Sequence, residues 1–461
     1  VDEFLEASGS TDLDQPVSQV EFPDVLSEEY KSWAAESLRG YLYLLRGTAR
    51  YKLAGMGAVP DIDQTLVEAE DDIRGVMEFE PSNSRAWFVL ADIYMARADR
   101  QNAAGNYLGQ QKFQDKALEV LKEAALKFDS DIEAHLELLD LKLAIALKDK
   151  GQTREKVRKL EPEYIALKDR FPQDAESYAA LAELYTGLTV THYDKAIEMI
   201  DKAIEHDREN ASYYLQAANL YYWHATYADR KEEIDKAIKL ADRALSLPGA
   251  QLTKGPMQQL NRKNRIMLYD FLGTVYTERI MDARRPGREK SEIAPLQNSL
   301  KQIVHQIEQL YKSEEELQVQ KWQGLLQLAL EGRQAGIKEL YPVYQKLKAA
   351  GKRDAFVPYV LASLLKDTGH SGAVAEFLAS ALNAGIANHR PGVYLDYIEL
   401  DLERRSPSSL LSNLENYENN YGAGEKTRKL RARALILAGD FNEAEKLLSS
   451  AEAGIDRSET I

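Results

Sequence analysis

The sequence predicts an all-α protein in which antiparallel helix pairs stack one on the next as an α-solenoid. Three observations carry this prediction. Apolar residues recur with the 3.6-residue period of amphipathic helices along most of the chain. One spacing of large and small residues recurs in several of these helices, and a second spacing recurs in the helices that follow them. No stretch has a convincing strand pattern, so no significant sheet is expected.

Length and composition limit the class of protein. With 461 residues, the chain is too long for one compact core, and 44% hydrophobic with 29% charged residues is typical of a folded, soluble protein. No apolar run approaches the roughly 18 residues that span a membrane. The absence of cysteine excludes disulfides, thiol catalysis and cysteine-ligated metals. A net charge of −15 disfavours nucleic-acid binding and favours solubility or basic partners.

The first 27 residues differ from the rest of the chain. Residues 1–27 are acidic and lack a helical period, which predicts an extended lead-in. The chain begins with Val1 rather than Met and contains no cysteine. We therefore expect an exported bacterial protein of the periplasm or cell envelope, with a cytoplasmic protein as the alternative.

The first recurring spacing is a large residue, then large and small residues three and four positions on, then an aromatic residue. It appears in "WFVLADIY", "YAALAELY" and "YLQAANLY", and less clearly in "HLELLDLK" and "LLRGTARY". The three clear copies consist of Trp87, Leu90, Ala91 and Tyr94; Tyr178, Leu181, Ala182 and Tyr185; and Tyr214, Ala217, Ala218 and Tyr221. Small residues at fixed positions let neighbouring helices approach closely, and the large ones fill the space between pairs.

The second spacing marks the helix that follows each copy. In this spacing a small residue at position i is followed by apolar residues, large or small, at positions i+4 and i+7. Several of these helices end in a proline or polar turn. The copies are Ala69, Ile73 and Val76; Ala117, Leu121 and Ala124; Ala196, Ile200 and Ala203; and Ala237, Ala241 and Ala244. "GDFNEAEKLLSSA", at residues 439–451, has the form of a turn and second helix of the last pair.

Together these spacings resemble the tetratricopeptide repeat, whose period is 34 residues. The resemblance covers roughly residues 35–250 and 320–455. It implies a right-handed solenoid whose first helices line a groove, and a function in binding other proteins. Several pairs depart from the repeat through longer helices or inserted loops, such as "RADRQNAAGNYLGQQKFQ".

The middle of the chain fits the repeat poorly. "LPGAQLT" and the basic, proline-containing segment around Arg284, Arg285 and Arg288 interrupt the helical pattern. We interpret the arginines as part of a solvated loop rather than as a binding site for an acidic partner or nucleic acid. The predicted organisation is the lead-in at 1–27, a first array at 28–250, an irregular helical junction at 251–318 and a second array at 319–461, with eight or nine helix pairs.

No motif for catalysis, cofactor binding or metal binding rises above background. The seven histidines are isolated from one another, and there is no HExxH motif, nucleophile elbow or glycine-rich phosphate loop. We therefore predict a protein that is not an enzyme and needs no cofactor or metal.

The resemblance implies which residues face the groove. The residue after the small position of the first helix would look into it, which selects Asp92, Asp140, Glu183 and Asn219. Apolar neighbours on the same helical faces are Phe88, Met95, Leu136, Leu143, Tyr222 and Trp223. A groove with a row of carboxylates, Asp92, Asp140 and Glu183, between apolar side chains suits a basic or amphipathic protein segment. Alternatively, the carboxylates pair with Lys and Arg of neighbouring helices.

The function that follows is a non-catalytic scaffold or accessory subunit that binds and organises the proteins of a larger assembly. Two alternatives stay open. The array could associate with itself as an oligomer or filament, or it could bind a glycan or other ligand during envelope or exopolysaccharide traffic. For the last, Tyr222 and Trp223 are the adjacent aromatic residues at a predicted groove position.

Overall fold

The structure is a computed structural model, and its regular elements are helices. It describes residues 28–148, 153–188, 192–228, 230–250, 258–285, 287–288, 290–311, 316–366, 368–388, 390–402, 407–421 and 425–448. Within these ranges there are twenty α-helices and no β-strand. The predicted all-α fold class is confirmed. The chain groups into two compact units, the first ending at Phe171 and the second beginning at Pro172.

Three helix pairs form the first unit. Each helix packs against the next one in sequence, so the pairs α1–α2, α3–α4 and α5–α6 stack in order. The helices are α1 (Glu28–Gly55), α2 (Ile62–Phe79), α3 (Ser84–Ala103), α4 (Tyr107–Lys127), α5 (Ile132–Lys148) and α6 (Thr153–Arg170).

The second unit contains seven further pairs. The helices are α7 (Ala175–Leu188), α8 (Tyr193–His206), α9 (Ala211–Ala228), α10 (Lys231–Ser246), α11 (Gln258–Ala283), α12 (Ile293–Leu310), α13 (Glu316–Glu331), α14 (Arg333–Ala349), α15 (Phe356–Leu365), α16 (Ser371–Asn383), α17 (Pro391–Asp401), α18 (Pro407–Tyr421), α19 (Glu425–Ala438) and α20 (441–448). Short 3-10 helices follow α10 (Pro248–Ala250) and α16 (Ile386–Asn388).

The recurring spacings mark the residues that are buried between helices. The small residues Ala69, Ala117, Ala196 and Ala237 are fully buried, and Leu90 is 1% exposed. Such small side chains allow close approach, while the large residues exclude water from the seams between pairs. Because each pair has an apolar side that only a neighbouring pair can cover, stacking follows directly from the sequence pattern.

Glycines end two of the helices where the chain must reverse direction. Gly105 and Gly439 adopt φ values of 75° and 83°, which favour glycine because it has no Cβ. After α19, the amide of Asp440 donates to Leu435 O at 2.9 Å and that of Gly439 donates to Ile436 O at 3.0 Å. This pair of hydrogen bonds is the Schellman arrangement, which satisfies the last carbonyls of a helix. The predicted turn at Gly439 is thus present.

A third glycine sets the distance between two first helices. Gly273 lies on α11, where an added Cβ would stand 2.4 Å from the Trp322 ring of α13. Trp322 is fully buried. A glycine at this point is therefore what lets the indole lie directly against the backbone of α11.

Ten pairs are present among the described residues, against eight or nine expected. The additional pair comes from α11 and α12, which pack against each other and against the pairs on either side. The domain limits placed at 28–250, 251–318 and 319–461 stay a prediction, and residues 1–27 lie outside the described residues.

Candidate binding surfaces

The first helices of successive pairs contact one another directly. In the first unit α1 contacts α3 and α3 contacts α5; in the second, α9 contacts α11 and α11 contacts α13. We call the surfaces that these helices share the first-helix face of each unit. All the predicted groove residues lie on first helices: Phe88, Asp92 and Met95 on α3, Leu136, Asp140 and Leu143 on α5, Glu183 on α7, and Asn219, Tyr222 and Trp223 on α9.

The first-helix face of the first unit is negatively charged. Asp92 is exposed, yet desolvation by the surrounding protein raises the pKa of its carboxyl group. The half-buried Glu137 on α5 has its pKa raised by burial and then by the charges of Asp92 and Glu133. On α1, burial and then the charges of Asp92 and Asp99 raise the pKa of Tyr51. No cationic side chain contributes to any of these three shifts.

The predicted apolar walls of the first unit are largely part of its core. Phe88 is only 8% exposed, and Met95 is half-buried against the same core cluster. Leu143 is 4% exposed, whereas Leu136 is half-buried. Asp140 is exposed. The carboxylates Asp92 and Asp140 are thus accessible on this face, whereas Phe88 and Leu143 offer little surface to a partner.

In the second unit Glu183 and Asn219 have different surroundings. Glu183 is exposed on α7, and desolvation raises the pKa of its carboxyl group. Asn219 is half-buried on α9 and donates from Nδ2 to Leu215 O at 3.0 Å. Its side chain borders a cavity, so it is a candidate contact for a ligand of that cavity.

The adjacent aromatic residues of α9 are only partly accessible. Tyr222 is 3% exposed, and its ring meets Phe271 edge to face at 5.7 Å between centroids. Trp223 is half-buried, with its ring 6.4 Å from that of Tyr193. Neither ring therefore presents a fully open face on which a sugar could stack.

A cavity of about 540 Å³ lies on the first-helix face of the second unit. Its apolar wall includes Trp223, Phe271 and Phe356, and its polar groups include Asp270 and Arg390. Such a combination of aromatic walls with a few convergent polar groups is typical of ligand and peptide-side-chain pockets. Sequence reasoning selected only the α9 part of it.

Arg390, which the sequence analysis did not single out, is held at this cavity by contacts with three residues, Glu278, Tyr222 and Tyr359. Its Nη1 lies 2.7 Å from Oε1 of Glu278, and its Nη2 donates to Oε2 at 2.7 Å. The guanidinium carbon is 5.4 Å from the ring centroids of both Tyr222 and Tyr359. Tyr222 also donates its hydroxyl hydrogen to Glu278.

A second cavity, of about 650 Å³, begins on the other side of this cluster. Glu278, Tyr222 and Tyr359 border it, and Tyr222 borders both cavities. Burial raises the pKa of Glu278, an effect that the nearby charge of Arg390 opposes. The ion pair with its two tyrosines is therefore a wall between two cavities of the second unit.

A buried cluster of Asp270, Lys321, Trp322 and Asp354 adjoins the first cavity, which Asp270 borders. Trp322 donates from Nε1 to Asp270 Oδ1 at 2.7 Å, and Lys321 Nζ lies 2.8 Å from Asp354 Oδ2. Burial raises the pKa of Asp270, despite the opposing charge of Lys321. Burial also opposes ionisation of Asp354, but Lys321 and the amides of Phe356 and Val357 outweigh it and lower the pKa. These bonds fix the start of α15.

The arginines of the basic segment are engaged within the chain. Arg284 donates to the carbonyl groups of Leu328, at 2.5 Å, and Ala329, near the end of α13. Arg285 and Arg288 both lie near Asp282, at 3.2 Å and 3.8 Å. These contacts favour a structural role for the three arginines over recognition of an acidic partner.

The described residues offer neither a cluster of potential metal ligands nor a helix suited to cross a membrane. No group of three or more His, Asp or Glu residues in that part of the chain is placed to hold a metal ion. None of the described helices is both long and apolar enough to cross a membrane.

Comparison with other proteins yields similarities of fold. No protein-family model matches the chain, and no curated protein matches it. Among solved structures, the APC/C hetero-tetramer Cut9–Hcn1 has a TM-score of 0.40 and 13% identity over 91% of this chain and 66% of that chain. This chain thus spans just under two thirds of that protein's length.

Two further structures are similar over most of their own length. The human IFIT1 dimer with m7Gppp-AAAA has a TM-score of 0.43 and 13% identity, over 96% of this chain and 95% of that one. A tetratricopeptide repeat protein from Parabacteroides merdae has a TM-score of 0.37 and 14% identity, over 72% of this chain and all of that one. The resemblance to the tetratricopeptide repeat is confirmed at the level of the fold, which the helix pairs themselves establish. At these scores the similarities assign no function.

Proposed function

We propose that this chain is a non-catalytic scaffold or accessory subunit that binds basic or amphipathic segments of other proteins on its first-helix faces. The observation that carries the proposal is the pair of desolvated carboxylates on α3 and α5. Burial raises the pKa values of both carboxyl groups, and the charge of Asp92 raises that of Glu137 further. Both positions lie on an accessible or half-accessible face rather than inside the core.

Physical chemistry explains why this pair favours a cationic partner. Desolvation without a compensating cation destabilises the ionised form of a carboxylate, as the raised pKa values express. A Lys or Arg side chain placed between α3 and α5 would offset that cost. Charge-assisted hydrogen bonds to a carboxylate are about twice as strong as neutral ones, so the gain in binding is specific to cations.

A protein segment is the partner that fits best. Helix pairs stacked in order offer a long face rather than a closed site, which suits an extended or helical segment. Glu183 adds a similarly desolvated carboxylate in the second unit. Location in the periplasm or cell envelope is part of the proposal, and the absence of cysteine supports it.

The test uses a fluorescent, lysine-rich amphipathic peptide and the full chain. Asp92→Lys combined with Glu137→Lys should weaken binding by about tenfold or more at low salt, since like charges would replace attractive ones. The matched control is Asp71→Lys with Glu78→Lys, which changes the net charge equally at two exposed positions of α2. Fluorescence anisotropy at several salt concentrations measures both.

The two double variants separate a specific face from general attraction. If they weaken binding equally, the acidic protein merely attracts cations and the proposal is wrong. The triple reversal of Asp92, Asp140 and Glu183 extends the test to the complete set of carboxylates predicted from the sequence. Unchanged affinity and salt dependence in that variant would also contradict the proposal.

A further inference from the structure

The environment of Arg390 has the chemistry of a guanidinium-binding site. The Glu278 carboxylate accepts a hydrogen bond from Nη2 at 2.7 Å and lies 2.7 Å from Nη1, and two tyrosine rings lie at 5.4 Å from the guanidinium carbon. The arginine and glutamate side chains are 15% and 14% exposed. Close contact of one carboxylate with both terminal nitrogens of a planar group, combined with aromatic contact, favours a guanidinium over the ammonium of lysine.

The residue that occupies this cage belongs to a connection, not to a helix of the cage. Arg390 stands at the N-cap position of α17, and its side chain makes no capping bond to that helix. It follows the 3-10 helix Ile386–Asn388, whereas Tyr222, Glu278 and Tyr359 belong to α9, α11 and α15. The cage is therefore built by three helices and filled by a side chain that reaches in from a connecting segment.

The position of the cage links it to the cavities on either side. Arg390 borders the cavity of about 540 Å³, and Glu278 and Tyr359 border that of about 650 Å³. If the side chain of Arg390 left, the wall between the two would lose its central group. A segment lying on the first-helix face of the second unit could then extend through both cavities.

We propose that the cage of Glu278, Tyr222 and Tyr359 is an exchangeable arginine site, in which Arg390 acts as an internal ligand that an arginine of a bound protein segment replaces. This inference rests on the proposed function, because the competing arginine belongs to a partner protein. It adds a specific chemistry for the second unit, whereas the carboxylates of the first unit accept any cation. Replacement conserves every ionic contact of the cage, so the exchange leaves no buried charge unpaired.

The experiment empties the cage and offers small probes. Arg390→Ala in the full chain should bind guanidinium ion at millimolar concentration, seen as a rise in the unfolding temperature. N-acetyl-arginine methylamide should bind about tenfold more tightly than its lysine counterpart, because a single ammonium nitrogen cannot contact both carboxylate oxygens and stack on the tyrosine rings as a planar guanidinium does. The unsubstituted chain should bind both probes more weakly than Arg390→Ala does. Adding Glu278→Gln to Arg390→Ala should abolish the preference for arginine.

Each outcome decides the matter. If Arg390→Ala does not fold alone, guanidinium should restore its folding, while sodium and methylammonium at equal ionic strength should not. Absence of any guanidinium effect, or equal effects of all three cations, would overturn the proposal and leave Arg390 as a purely structural ion pair. This result is independent of the peptide test on Asp92 and Glu137, so the failure of one proposal is distinguishable from that of the other.

Discussion

Arg390 and Glu278 are joined by two contacts of 2.7 Å although 112 residues separate them in sequence. Most other contacts of this protein join a helix to the next one or two along the chain. The ion pair therefore ties together helix pairs that the simple stacking order leaves apart, and its loss should be felt beyond its immediate neighbours.

Glu278→Gln should markedly lower stability. The substitution removes the counter-charge of a buried guanidinium, and breaking a buried ion pair in this way typically costs about 3–5 kcal/mol. The matched control is Glu376→Gln, whose partner Lys348 is 3.0 Å away, with side chains 57% and 64% exposed respectively. An exposed, solvent-screened pair of this kind should contribute much less to stability. Urea unfolding of both variants measures the difference, and equal losses would contradict the buried role of Glu278.

Gly273→Ala should destabilise the contact between α11 and α13. The new Cβ would lie 2.4 Å from the Trp322 ring, so the helices must separate, at a cost of about 1–3 kcal/mol for an overpacked core. Gly55→Ala is the control, because no atom lies within 4 Å of its added Cβ. At that helical position alanine should be neutral or stabilise by up to about 1 kcal/mol. A thermal shift of the same sign and size in both variants would contradict the close approach at Gly273.

Binding of a basic peptide should strengthen as the pH rises through the raised pKa values of Asp92 and Glu137. Below these values the carboxyl groups are protonated in the free protein and attract the peptide weakly. Above them they are ionised, and binding a cation favours that form. Asp92→Asn with Glu137→Gln should flatten the pH dependence measured by fluorescence anisotropy. An affinity that falls with pH in the unsubstituted chain would contradict this expectation.

The contribution of Asp92 to folding stability should fall as the pH rises, whereas its contribution to peptide binding should increase. Because the folded pKa of Asp92 is raised, folding is least hindered below the ordinary carboxyl pKa. Its contribution then becomes unfavourable as the pH rises through the folded pKa. Asp92→Asn should therefore stabilise the protein at neutral pH and not at acidic pH, as measured by unfolding temperature across the range. A lower unfolding temperature of Asp92→Asn at neutral pH would show that the carboxylate makes stabilising contacts instead.

A scaffold that presents its faces to other proteins should remain a single chain in solution. Size-exclusion chromatography with light scattering should give 52.0 kDa at all concentrations tested. A mass that grows with concentration would instead support the alternative of a self-associating structural subunit.

The helix pairs were predictable because their determinants are local. A buried small residue at positions such as Ala117 and Ala196 recurs at fixed spacing, and the turn at Gly439 carries its own conformational signature. The first spacing, of a large residue followed by large, small and aromatic ones, also occurs in the middle of the chain as Tyr269, Leu272, Gly273 and Tyr276, and sequence reasoning missed it. That signal would have revealed the pair formed by α11 and α12.

The candidate sites were less predictable because they depend on contacts between distant residues. Asp92 was selected by its position in the repeat, but the contribution of Glu137 depends on how α3 and α5 pack. No spacing in the sequence brings Arg390 to Glu278 and Tyr222. Tyr222 was expected on the groove surface, whereas the guanidinium and Phe271 cover its ring.

Arrays of stacked helix pairs usually unravel from their ends, because each pair depends only on its neighbours. In this protein the ion pair between Glu278 and Arg390 links the two ends of one segment of the array. Unfolding any helix pair between them therefore disturbs the ion pair as well as the contacts with the neighbouring pairs. Amide hydrogen exchange should therefore be slow and concerted across α11 to α17, and faster and graded in α19 and α20. The second unit would then contain a cooperative block within an otherwise segmental fold.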